Sequence, residues 1–249
     1  MSDVIDFDLS PSTSKARLSE VHRYAVDNAL ARAFYRMNVV ENRLFKFAVS
    51  RLDSRSATSG QLSPVRVTAK EFGDAFRMDP TNVYEQLRNA SYRLLGRPIR
   101  VPALIDYPET LYVMIVQVTY YAGQGCVDLY FNPPLAPFLL GLRERFTTFV
   151  MDSGFSRLTT FASQRLYEVL KSVDSLPEYH VSLSTLRLML LRDPNRYKRW
   201  NLFSSRVLFP AIDAINDHTD MLVRYHLVRK SRSISGVVFT HSEHAQLPF

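Results

Sequence analysis

One cysteine in 249 residues, Cys126, excludes an internal disulfide framework and any cysteine-rich zinc module. Glycine is scarce as well, and none of the eight precedes a lysine, so the phosphate-cradling loop G-x-x-x-x-G-K-[ST] is absent. No stretch approaches about 18 uninterrupted apolar residues, and no transmembrane helix is expected. The opening MSDVIDFDLSPSTSK is acidic and then rich in Ser and Thr, the reverse of a secretory signal's basic-then-apolar order. These absences predict a reduced, cytoplasmic protein.

Catalytic constellations are missing too. Metal-dependent rolling-circle nicking needs two histidines flanking one apolar residue ahead of a tyrosine nucleophile. The six histidines (His22, His180, His218, His226, His241 and His244) contain no such pair. His241-Ser-Glu-His244 has ligand-like spacing, but it lies in a polar tail with no third ligand in view, and short motifs match by accident. Cys126 falls in an expected strand and reads as a small buried hydrophobe rather than a nucleophile. The carboxylates are neither paired nor clustered. No catalytic residue, metal ligand or cofactor is assigned, and the chain reads as a non-enzyme.

What the sequence has is a core and a basic surface. Apolar residues make up 46% and aromatics 12%, enough for one large domain or two small ones. The net charge is +7, and the basic set is 25 Arg against 6 Lys. Arginine presents a planar donor fork suited to phosphates and guanine edges, whereas lysine is a solvated point charge. Residues 1–152 hold 18 basic and 16 acidic residues, net +2, whereas 153–249 hold 13 and 8, net +5. Two runs in the second part contain no acid: Arg196, Lys198, Arg199, Arg206, and then Arg224, Arg229, Lys230, Arg232. One charge run is usually a solvated face; two that flank the same expected helix and hairpin point to nucleic acid.

Residues 1–20 read as a flexible leader with little to bury. From Tyr24 the pattern turns helical, and Val40, Leu44, Phe47, Ala48 and Leu52 recur at helical spacing, with Arg43, Lys46 and Arg51 elsewhere. Residues 53–60 are a loop by composition. Val65–Thr68 is a strand that runs into the capping box Thr68-Ala-Lys-Glu71. After that short helix, Asp79 as N-cap and Pro80 at the first helical position open a second, which buries Val83, Leu87, Ala90 and Leu94 and ends at Gly96. Helix, tight turn and helix make a helix-turn-helix. Runs at 99–101, 112–121 and 126–131 are β-rich, the last two forming a hairpin around Gly123-Gln-Gly125 in the place of a wing. The stretch 111–121 is apolar on both faces and should be covered on both, within the first domain or across a dimer. Residues 134–145 read as a short helix and 146–151 as a further strand.

The order then repeats. A helix over 155–173 buries Leu158, Ala162, Leu166, Val169, Leu170 and Val173. His180-Val-Ser-Leu parallels Val65–Thr68, and Ser184 N-caps a helix to Leu191. The turn Arg192-Asp-Pro-Asn195 leads into a long helix over 199–218 that buries Phe203, Val207, Ala211 and Ile215. Pro210 should kink or split it. Residues 221–228 and 234–240 make a second wing around the loop Arg229-Lys-Ser-Arg-Ser233. The repeat predicts an α+β fold of tandem winged-helix domains related by internal duplication, at 21–152 and 153–241, with a tail at 242–249.

In a winged helix the second helix lies in the major groove and the hairpin touches backbone or minor groove. In the second domain Lys198, Arg199, Asn201, Ser204, Ser205 and Arg206 cluster in the N-terminal half of the long helix. Arg there can grip guanine, Asn adenine, and Ser a base or a phosphate. Arg229, Lys230 and Arg232, at the wing tip, are assigned to phosphate or the minor groove. In the first domain the outer face carries Asn82, Glu85, Gln86, Arg88, Asn89 and Arg93. Glu85 is unfavourable against phosphate, so Asn82, Gln86, Arg88 and Arg93 form either a DNA contact or a solvated or dimer surface. Tyr197 and Trp200 read as core beneath the long helix.

Asn28-Ala-Leu-Ala-Arg-Ala-Phe-Tyr-Arg-Met, then Glu41-Asn-Arg-Leu-Phe-Lys-Phe-Ala, resemble the opening of the plasmid replication initiators that bind iterons, the Rep family built from two winged helices. Phe72-Gly-Asp-Ala-Phe, Asn82-Val-Tyr-Glu-Gln-Leu and Leu94-Leu-Gly-Arg resemble its first helix-turn-helix. Tyr167-Glu-Val-Leu, Tyr197-Lys-Arg-Trp and Arg206-Val-Leu-Phe-Pro-Ala-Ile-Asp-Ala-Ile-Asn resemble its second domain, in which a proline is tolerated at the position of Pro210. The resemblance implies a bacterial, plasmid-associated protein that binds repeated double-stranded origin sites, helps open AT-rich DNA, and recruits host DnaA and the replicative helicase. It also implies a homodimer that represses its own promoter, in equilibrium with an initiating monomer. A tandem winged-helix repressor without a replication role is the alternative, and an origin-nicking or priming Rep enzyme the second.

Overall fold

The structure is a computed structural model that describes residues 23–52, 62–101, 109–121, 123–140, 146–150, 154–191, 193 and 195–243. The expected leader, the loop at 53–60, and His244 lie outside the described residues. The first unit opens with β1 (Arg23–Asp27), the one-turn helix α1 (Asn28–Ala31) and β2 (Phe34–Tyr35), followed by α2 (Val39–Val49), β3 (Val65–Thr68), α3 (Ala69–Phe76) and α4 (Val83–Leu94). After them come β4 (Pro98–Val101), β5 (Thr110–Val113), β6 (Ile115–Tyr121), β7 (Cys126–Phe131), α5 (Ala136–Leu139) and β8 (Phe146–Val150). Next comes α6 (Phe161–Lys171), and the second unit follows with β9 (Tyr179–Ser182), α7 (Leu183–Leu190), α8 (Trp200–Phe203), α9 (Phe209–His218), β10 (Met221–Lys230) and β11 (Ser233–Glu243).

The duplication is visible in the strand pairing. In the first unit the wing's second strand, β7, turns back onto β3, giving the sheet order β3-β7-β6. In the second, β11 turns back onto β9, giving β10-β11-β9. In each, the strand before the helix-turn-helix pairs with the last wing strand, so two helices are held between sheet and partner helix. The stripes expected to be buried are buried: Val83, Leu87, Ala90 and Leu94 on α4, and Phe203, Val207, Ala211 and Ile215 along the long helix. Each Val, Leu, Ile or Phe among them stabilises the fold by roughly 1.5–3 kcal/mol when fully covered. The Thr68–Glu71 capping box forms in both directions, and a second box, Asn38–Glu41, starts α2.

Several boundaries differ from expectation. Residues 23–27, expected to be helical, form β1, because they pair along their length with β8; tertiary pairing overrides a weak local preference. Asp79 does not cap α4. Its carboxylate accepts from the Thr81 N–H and hydroxyl, closing a turn over Pro80–Asn82, and the helix starts at Val83. The helix expected from 155 begins at Phe161 with Thr160 as N-cap, after a single 3-10 turn at Phe155–Arg157. Ser182, not Ser184, caps α7. The wing strand β11 continues to Glu243, opposite Met221, so residues 242 and 243 belong to the sheet rather than to a tail.

Gly96, at φ +68°, follows the end of α4 as expected. Gly154, at φ +94°, is more constrained: a Cβ there would lie 1.6 Å from the His218 carbonyl oxygen, so the segment leading to α6 passes directly against the end of α9. The stretch 111–121 is not covered on both faces. It divides at Met114 into β5 and β6, each an edge of its sheet, and Leu111, Val116 and Tyr120 are left exposed while Met114 and Ile115 are buried.

Candidate nucleic-acid interface

The long helix of the second unit is neither split nor a plain α-helix. Trp200–Phe203 and Phe209–His218 are joined by a π turn over Ser204–Leu208, with the Phe209 N–H bonded to the Ser204 carbonyl five residues back. This turn answers the problem that Pro210 poses. Proline has no N–H to give and its ring crowds the carbonyl four residues before it. A wider turn just ahead moves those carbonyls aside, and the helical run continues to His218.

Along that helix Arg199, Asn201, Ser205 and Arg206 are exposed, and Lys198 and Arg196 are exposed just before it. Ser204 corrects the expected set. It is buried, and its hydroxyl donates to the Asn201 carbonyl at 3.2 Å, so it is not on the outer face. The Ser205 hydroxyl donates to the same carbonyl at 2.7 Å, which leaves its lone pairs outward. Among the described residues no ion pair engages Arg196, Lys198, Arg199 or Arg206, and the Arg206 guanidinium has no hydrogen bond. Trp200 and Tyr197 pack against the core, as expected.

The wing's turn is tighter than its sequence suggested. Arg229 pairs with Ile234 and Lys230 with Ser233, so only Ser231, at φ +56°, and Arg232 form the turn, where a five-residue loop was expected. Arg224, Arg229, Lys230 and Arg232 are all exposed and in no ion pair among the described residues. Phe209 stacks on Tyr225 of β10 with centroids 5.4 Å apart and rings 26° from parallel, and Trp200 meets Phe209 edge-on at 6.3 Å. This aromatic ladder fixes the wing's first strand relative to the helix. Sequence reasoning missed Tyr225; on β10 it shares a face with buried Met221 and Val223, and its partner lies 16 residues away on another element.

The first unit's face is built differently. Asn82, Glu85, Arg88, Asn89 and Arg93 of α4 are exposed, Gln86 is half-buried, and Asn82 makes no capping bond. Arg88 lies 5.9 Å over the Tyr120 ring, and Arg93 reaches within 3.8 Å of Glu41. Arg51 pairs with Glu71 at 3.1 Å, Arg97 with Glu41 at 3.4 Å, and Arg66 with Asp128 through two bonds of 2.8 and 2.9 Å.

Between α2 and α6 lies a buried polar cluster that the sequence did not announce. Glu168 of α6 is fully buried and takes Lys46 of α2 at 3.3 Å, the guanidinium of Arg165, the Tyr35 hydroxyl at 3.0 Å and the Asn42 amide at 3.2 Å. Arg165 also donates to the carbonyls of Ala31 and Ala33 at 3.0 and 2.8 Å. Burial pulls Lys46 down to about 8 even beside Glu168. Burial pushes the Glu168 carboxyl up, but the charges of Lys46 and Arg165 and the hydrogen bonds outweigh it and hold it below the ordinary carboxylate range. The spacing places Lys46 away from the apolar stripe of its helix, and α6 covers that side. No local signal could have shown this, because the partner is more than 100 residues away in sequence.

Cys126 is buried in β7, and His241 bonds to Asp174 at 3.0 Å. Among the described residues no group of three or more His, Cys, Asp or Glu is placed to hold a metal ion, and no helix is long and apolar enough to cross a membrane.

Two family models match the chain: one described as Initiator Replication protein, WH1, over residues 23–171, and one described as Initiator Rep protein, WH2, over residues 182–241. Among solved structures, the chain is similar to the Pi initiator protein in its crystal structure with iteron DNA. There the TM-score is 0.74 at 19% identity, covering 92% of this chain and all of that one. Domains 2 and 3 of RctB match at a TM-score of 0.45 and 14% identity, covering 82% of each chain.

Proposed function

The chain belongs to the initiator replication protein family, with both of its winged-helix domains, and from that premise we propose that it initiates plasmid replication by binding repeated double-stranded sites, iterons, at an origin. The observation that carries this reading is the set of unpaired cations on one helix and one wing of the second unit. Lys198, Arg199, Asn201, Ser205 and Arg206 enter the major groove, while Arg229, Lys230 and Arg232 hold phosphate or the minor groove. The first unit, through Asn82, Gln86, Arg88 and Arg93, adds an accessory contact. The working boundary between the two is at residues 152 and 153.

The protein acts without catalysis of its own, in the bacterial cytoplasm. It lacks the nucleotide-cradling glycine loop, so origin opening draws on host DnaA, the replicative helicase and supercoiling. Exposed Leu111, Val116 and Tyr120 on two sheet edges of the first unit support a homodimer in equilibrium with the monomer. Footprinting of the full chain on the DNA flanking its coding region tests the proposal. Protection of direct repeats about two helical turns long beside an AT-rich tract is expected. Protection of a promoter operator alone would replace initiation by repression, and metal-dependent strand cleavage would make the chain an enzyme.

A further inference from the structure

Four residues between Trp200 and Leu208 are exposed, and three of them, Asn201, Ser205 and Arg206, are polar. The fourth is Leu202, 43% exposed. Trp200, Phe203, Val207 and Phe209 on the same helix all pack with the core, and Leu202 does not join them. Its N–H bonds to Asn201 Oδ1 at 3.0 Å, which fixes the backbone at the first turn and leaves the isobutyl group in solvent. Lone exposed leucines are ordinary on protein surfaces. Leu176, 48% exposed in the turn after α6, is one of that kind.

Position sets Leu202 apart. It stands at the N-terminal end of the helix whose first residues meet base edges, among cations with no carboxylate partner. The major groove offers hydrogen-bond donors and acceptors at every base pair and a single methyl group, on C5 of thymine. Water-exposed apolar surface gains on binding only where it meets apolar surface. We infer that Leu202 reads thymine through that methyl, and so sets the preference at one base pair of the site. This rests on the second unit reading DNA as proposed above.

Site selection from a pool of random duplexes, with the full chain and with Leu202→Ala, tests both levels separately. Wild type is expected to enrich a motif with a fixed thymine, and Leu202→Ala the same motif without that preference. Replacing this thymine by deoxyuracil removes the methyl and keeps every hydrogen-bonding edge. It should weaken wild type about fourfold, the worth of one buried methyl-sized group, and leave Leu202→Ala unchanged. Leu202→Met, still apolar, should keep the sensitivity. If deoxyuracil at every thymine of the motif leaves wild-type affinity unaltered, or weakens Leu202→Ala as much as wild type, the thymine contact is wrong while the reading helix stands. If wild type enriches no motif, the second unit is not a sequence reader and both fall. Thermal melts of Leu202→Ala should match wild type, as exposed surface substitutions generally do; the deoxyuracil arm on wild type is decisive in either case.

Discussion

The two winged-helix units share element order and strand pairing, yet they differ in how many of their surface arginines face a carboxylate. In the first, Arg51, Arg66, Arg93, Arg97 and Arg100 each face a carboxylate. In the second, Arg196, Arg199, Arg206, Arg224, Arg229 and Arg232 face none among the described residues. An exposed pair adds little stability, about 0–1 kcal/mol, but it lowers the local positive potential. An unpaired row leaves its potential for phosphate. Net charge per unit hints at the difference; only partner geometry explains why one surface is spent and the other available. The cations of the seam, Lys46 and Arg165, are a third class, fully buried and structural.

The largest effect should come from that third class. Glu168→Ala strands Lys46 and Arg165 without their shared carboxylate and should cost about 3–5 kcal/mol, read from urea unfolding of the full chain. A cost below about 1 kcal/mol would mean that the α2–α6 seam is not held by the cluster. Glu168 is held below its unfolded value, so at acid pH the unfolded chain binds the extra proton. Its contribution is complete above the ordinary carboxylate range and is lost as pH falls through the native value. Glu168→Gln should flatten that acid loss.

Next is the wing. Replacing Arg229, Lys230 and Arg232 together with Ala should lower affinity for cognate and scrambled duplexes alike, by about a hundredfold at most near physiological salt. The slope of log K against log salt should flatten by about two to three. Titration at two salt concentrations checks both. Arg206→Ala should act on the cognate site alone, costing about 1–3 kcal/mol there and lowering the ratio of specific to random binding. If the wing variant collapses that ratio and Arg206→Ala does not, helix and wing have exchanged roles.

Much of this architecture is legible in the sequence because periodicity and capping act locally. Val65–Thr68, the Thr68–Glu71 box, the α4 stripe and the Phe203–Ile215 stripe all follow from spacing within a dozen residues. What is not legible depends on distant chain. Residues 23–27 become a strand only because 146–150 lie beside them. Lys46 becomes a buried ion only because α6 covers it, and Ser204, one turn before Val207 and Leu208, lies on the helix face that the core covers. The candidate interface was legible as a charge pattern, whereas Leu202 and Tyr225, being uncharged, carried no such mark.

The smallest expected effect bears on the first unit's face. Arg88→Ala combined with Arg93→Ala should weaken full-chain binding by no more than about threefold, less than one phosphate contact is worth near physiological salt. Arg93 is drawn toward Glu41, Arg88 lies over Tyr120, and exposed Glu85 shares their helix. On the second unit's helix, by contrast, the sequence has no acid from Asn195 to Ile212. The same titrations used for the wing measure the difference, with the salt slope falling by well under two. A tenfold loss with a slope change of two would mean that both arginines grip phosphate despite their neighbours. Carboxylate partnering would then not be what separates the units, and the first unit would rank beside the second as a DNA-binding surface.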